Sequence, residues 1–135
     1  MAKIEIFKNE QMSVFYLQDD KIIYHIMHGQ VEGKPFRDAI LAATDALMKN
    51  KACKWLSDDR LNPALKQADQ SWILEVWQPK VLKAGWKYWA IIMPEEAIGK
   101  MRMSVMASQY AKLGVTVNAF SSPDEGLKWL KSFKI

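Results

Sequence analysis

Residues 52–85 read ACKWLSDDRLNPALKQADQSWILEVWQPKVLKAG, and the order of features in this stretch decides the fold. A short apolar run, 52–56, has the length of a central strand. Ser57-Asp58-Asp59-Arg60 follows as a polar turn with two adjacent carboxylates. Trp72, Ile73, Val76 and Trp77 then share one face of a helix. Pro79 is expected to kink or nearly end that helix, and Gly85 suits the position just beyond its C-terminus. Its start is left between Asn62-Pro63, which could cap it directly, and Asp69, which could cap it after a loop. Strand, turn and helix in this order form half of a parallel crossover unit. In open α/β sheets the ligand site lies where a strand's carboxyl end gives way to the next helix.

Working outward, residues 86–93 (WKYWAIIM) read as another core strand, apolar in its second half as in a sheet covered on both faces. Pro94-Glu95-Glu96 starts a helix over about 97–113, with Ile98, Met101, Val105 and Met106 among its apolar positions; Gly114 closes it. Residues 115–120 are the last strand. Ser122-Pro123-Asp124-Glu125 is a capping box, and Leu127, Leu130 and Phe133 face the core along a C-terminal helix. Upstream, 3–7, 12–17 and 21–28 are β-rich, with Gln18-Asp19-Asp20 as a turn between the last two, so the chain opens with antiparallel strands. Phe36, Ile40, Ala43 and Leu47 recur at helical spacing over a helix ending near Asn50. The order β β β α β α β α β α predicts one α/β domain over 1–135. Its sheet is mixed, with an antiparallel N-terminal hairpin, parallel core strands and about four helices.

Composition narrows the function. Half of the 135 residues are hydrophobic and a quarter charged, which argues against disorder. The net charge of +4 is spread along the chain without a basic run, so no nucleic-acid partner is expected. One cysteine, Cys53, in an apolar pattern reads as a small buried hydrophobe and fits a reducing compartment. The N-terminus lacks the apolar core of a signal peptide, and no run is long enough to span a membrane; a cytoplasmic protein is expected.

The chain has no glycine-rich phosphate loop, no nucleophile-elbow motif and no Cys/His cluster, so no cofactor and no metal are expected. Asp58 and Asp59 could hold a cation or act as acid and base, but further ligands are missing nearby in sequence. As turn residues balanced by Arg60 they need no function. His25 and His28, the only histidines, sit three apart on one strand and therefore point to opposite faces. Trp72, Trp77, Trp86 and Trp89 place four of six tryptophans within 18 residues. Two or three can complete the core; the rest could line a dimer surface or an apolar pocket.

The opening hairpin, KIIYHIMHGQV before the first helix, KWLSDDR, the W-x-x-x-x-W-x-P helix and KAGWKYWAIIMP together resemble the STAS domain superfamily. The resemblance is greatest to its bacterial SpoIIAA-like branch. STAS antagonists carry a phosphorylatable Ser, usually before Ser/Thr and Gly, at the start of the helix after the central strand. Here that turn reads Ser57-Asp58-Asp59-Arg60, without the Ser-Gly pair. The resemblance implies a STAS-like fold and a non-enzymatic binding or regulatory module, self-associating as a homodimer or meeting a regulatory protein partner. Its contact residues would be Ser57, Asp58, Asp59, Arg60, Trp72 and Trp77. The alternative is a carrier of a small apolar or lipid-like molecule, with a pocket between helices 64–84 and 97–113. An enzyme built on Asp58 and Asp59 is a third reading, and it requires a histidine to approach the pair.

Overall fold

The computed structural model describes residues 3–100 and 103–134, with side chains throughout except over 99–105. Six strands form one sheet in the order of the sequence. They are β1 (Lys3–Lys8), β2 (Met12–Leu17), β3 (Ile22–Met27), β4 (Lys54–Asp58), β5 (Tyr88–Ile92) and β6 (Thr116–Phe120). The first three pair antiparallel and β3 to β6 pair parallel, which is the mixed sheet expected.

Three crossovers step across the sheet in one direction. Crossovers of one hand all place their helices on the same face. Helix α1 (Gly33–Lys49) buries Phe36, Ile40, Ala43 and Leu47 there, on the stripe its periodicity marks. Helix α2 runs over 67–83, and its Trp77 and Val81 join the same core with Trp55 and Trp86. Helices α3 (Glu95–Lys100) and α4 (Met103–Lys112) complete that face, Ile98, Met106 and Tyr110 packing near Ile91 and Met93. Helix α5 (Pro123–Lys131) covers the other face, its Leu130 buried against Leu56, Ala90 and Ile92. The capping box forms: Ser122 Oγ accepts the Glu125 N–H at 3.3 Å.

Several boundaries differ from the sequence expectations. Among the described residues five helical segments are present, and after β5 both Glu95–Lys100 and Met103–Lys112 are helical; Met101 and the side chain of Val105, expected on the apolar stripe there, lie outside the described residues. Strand β4 extends through Asp58, so Ser57 and Asp58 belong to the strand and the turn begins at Asp59. Ladder pairing decides this: Ser57 sits opposite His25 and Ile91, and Asp58 opposite Ile26 and Ile92.

Helix α2 starts at Gln67, at neither of the two candidate positions. Asp69 instead serves another helix, accepting the N–H of Gly33 at the start of α1 at 3.0 Å and pairing with Arg37 at 3.0 Å. A carboxylate at a helix N-terminus satisfies an orphan donor and complements the dipole. Nor does Pro79 end α2. Residues Ile73–Trp77 widen into a π turn, with Gln78 N–H bonding back to Ile73 O. The wider turn accommodates the missing proline N–H, and the helix continues to Lys83.

Gly126 of α5 lies against the sheet. A Cβ there would meet Ile92 Cδ1 at 2.6 Å and Leu56 Cδ1 at 2.9 Å. Gly126→Ala should therefore lower unfolding free energy by about 1–3 kcal/mol through overpacking, despite alanine's better helix propensity. Urea denaturation checks this, and an unchanged or raised midpoint would contradict the close packing.

Candidate functional site

Side chains alternate between the two faces of a strand, so β4 sends Trp55 and Ser57 to the α1/α2 face, and Lys54, Leu56 and Asp58 to the α5 face; Asp59, the first residue of the turn, lies on the Trp55 side, where it reaches His25. The adjacent carboxylates part company. Asp58 is buried and takes a two-pronged contact from Arg60, Nε to Oδ1 at 2.9 Å and Nη2 to Oδ2 at 2.7 Å. Asp59 meets His25, whose Nε2 lies 2.7 Å from Asp59 Oδ1. His25 is buried on β3 and faces the same way.

The hydrogen bonds dictate the state of the imidazole. Trp55 Nε1 lies 2.9 Å from His25 Nδ1. An indole N–H can only donate, so Nδ1 must be the bare acceptor nitrogen. Nε2 then carries the proton and donates it to Asp59. The chain Trp55→His25→Asp59 occupies both ring nitrogens and one carboxylate oxygen. Among the described residues, Asp59 Oδ2 has no hydrogen-bond partner.

This chain borders a cavity of about 180 Å³ between the sheet, α2 and α4. Ile73 and Trp77, one turn apart across the π segment, wall it from α2; Met106 and Tyr110 wall it from α4. The sheet supplies the floor with Trp55, Trp89 and Ile91, and Trp86 precedes β5 at its edge. The aromatic walls brace one another, Trp86 lying 5.1 Å from Trp77, 5.4 Å from Trp89 and 5.9 Å from Tyr110 between ring centroids. Polar tips are tied back: Trp77 Nε1 donates to Thr44 Oγ1 and Trp89 Nε1 to Ser57 Oγ, each at 2.8 Å. Burial pushes the Tyr110 phenol above its ordinary pKa, so this wall stays uncharged.

Two buried side-chain nitrogens among the described residues lack any partner, Trp86 Nε1 and Asn62 Nδ2. Both residues border this cavity. Buried donors are rarely left unpaired.

Of the residues singled out in the sequence, the structure brings Ser57, Asp59 and Trp77 to one cavity. Asp58 and Arg60 pair apart from it. Trp72 packs edge-on against Phe36, 6.2 Å between ring centroids, with Arg37 over its ring. Ser57 is 1% exposed. The histidines do face opposite ways: His28 is exposed and lies 2.7 Å from Ser13 Oγ. The third reading from sequence asked for a histidine beside the Asp pair, and His25 does reach Asp59, though not Asp58; Trp89 was one of the four tryptophans offered for core, dimer surface or pocket, and Tyr110 was not singled out as a site residue. Parallel pairing of β3 with β4 was the available signal, because it sets His25 opposite Ser57. No group of three or more potential metal ligands gathers among the described residues. No helix among them is long and apolar enough to cross a membrane. Comparison with family models, curated proteins and solved structures found no match to this chain.

The Trp55 hydrogen bond predicts a single imidazole tautomer. ¹⁵N NMR of His25 should show a bare Nδ1 and a protonated Nε2, and Trp55→Phe should release that preference. A wild-type spectrum with Nδ1 protonated would refute the assignment.

Proposed function

We propose that this chain is a non-enzymatic binding protein for a small, largely apolar molecule held in the cavity between α2, α4 and the sheet. The observation that carries this reading is the cavity itself, with aromatic walls and one carboxylate just past the carboxyl end of β4. Its volume of about 180 Å³ slightly exceeds engineered apolar cavities of about 150 Å³ that admit benzene, so a single ring with a short substituent suits it. The engaged imidazole supports a binding role over proton transfer, since neither ring nitrogen is free to exchange a proton with a substrate.

The neutral compound 2-phenylethanol is a fitting first probe. Calorimetry should give a Kd between about 1 µM and 1 mM, or about −8 to −4 kcal/mol. Ile73→Phe, which adds volume to the wall, should weaken binding tenfold or more, about 1.4 kcal/mol. Equal binding by the filled variant would reject the cavity as the site.

The exposed apolar side chains Leu61, Leu74 and Val76 favour a second reading. On it the chain is a STAS-like regulatory module that self-associates or meets a protein partner through α2 and the loop before it. Sedimentation should then show a dimer that Leu74→Glu converts to monomer; a wild-type monomer at all concentrations would count against self-association.

A further inference from the structure

The charge inventory of the cavity goes further than its size. Asp59 is the one ionised side chain among the described residues that border it. Its side chain is only 16% exposed. The groups nearest it do not neutralise it. His25 donates as an uncharged imidazole, and Arg60, the adjacent cation in sequence, is committed to Asp58 on the opposite face. A carboxylate in apolar surroundings costs free energy unless a positive group accompanies it.

The cavity it borders is lined by aromatic side chains, those of Trp77, Trp86, Trp89 and Tyr110. Aromatic faces carry negative potential and attract cations, more strongly where water is excluded. Carboxylate and rings favour the same occupant. We propose that the cavity recognises an organic ammonium ion, a compact monoamine with an apolar body about the size of a phenylethyl group. Its ammonium group bonds Asp59 Oδ2 and lies against the indole faces. This rests on the cavity being a binding site, as proposed above, and specifies the charge of what it binds.

The imidazole is a positioning group in this arrangement. By donating to Oδ1 while Trp55 holds its other nitrogen, it leaves Oδ2 for the ligand. A neutral alcohol of the same shape can still enter, but it forgoes the charge interaction. A carboxylate of the same shape meets a like charge.

The test is a calorimetric series on the intact protein at neutral pH with phenethylammonium, 2-phenylethanol and 3-phenylpropanoate. Phenethylammonium should bind about tenfold or more tighter than 2-phenylethanol, and 3-phenylpropanoate weakest. Added salt should weaken the ammonium selectively. Asp59→Asn should bring the ammonium to the affinity of the alcohol while leaving the alcohol within about threefold. Equal or tighter binding of the alcohol by the wild-type protein would overturn the proposal while leaving the cavity a binding site. So would an Asp59→Asn variant that binds both probes as the wild type does. Failure of all three probes to bind would remove the cavity reading and this inference together.

Discussion

The strand pleat of β4 is the constraint on which the rest of this structure depends. Its period of two turns Asp58, the last strand residue, to one face of the sheet, and Asp59, the first residue of the turn, goes to the other. One becomes half of a bidentate ion pair with Arg60, under the face covered by α5. The other becomes the acceptor of a buried imidazole, at the edge of an aromatic cavity. A pair that could have held a metal or shared a proton in a loop is instead two separate groups with separate partners.

Parallel pairing then assembles what the pleat presents. β3 and β4 run side by side with His25 opposite Ser57, so Trp55 and Asp59, two residues before and two residues after Ser57, flank the imidazole. The hydrogen bonds follow diagonally, Trp55 to Nδ1 and Nε2 to Asp59. A buried polar chain of this kind is stabilising only when each member has its partner. The donor-only chemistry of indole sets its direction. On the next strand Trp89 repeats the diagonal to Ser57, so two adjacent strands tie their tryptophan tips to polar groups on β3 and β4, and both tryptophans line the cavity.

Helix α2 completes the enclosure through an irregularity. Pro79 removes one backbone donor, and the π turn over Ile73–Trp77 absorbs the loss without ending the helix. Ile73 and Trp77 thereby wall the same cavity, and Trp77 anchors to Thr44 of α1. The start of α1 is held in turn by Asp69 of α2 through Gly33 and Arg37. The two helices over the site are therefore bonded to each other at both ends of their contact, which supports a pocket of fixed shape.

Much of the architecture was legible in the amino-acid sequence because it rests on local signals. Alternation marked the strands, 3.6-residue spacing marked α1, and Ser122-Pro123-Asp124-Glu125 marked the start of α5. The alternating order of strands and helices implied the parallel half of the sheet and the antiparallel opening. The same order pointed to the end of β4 as the place to look for a site. What local signals could not supply was pairing register and the length of β4, because both depend on neighbouring strands that are distant in sequence. A two-residue extension of that strand moved Ser57 and Asp58 out of the turn and separated the carboxylates. Likewise the use of Asp69 at another helix's start, the passage of α2 through Pro79, and the meeting of His25 with Asp59 are long-range events. The sequence by itself determined the strands, the helices and the end of the sheet where a site would lie. Only the tertiary structure decided which side chains face one another there, since that is set by the pleat and the ladder register together.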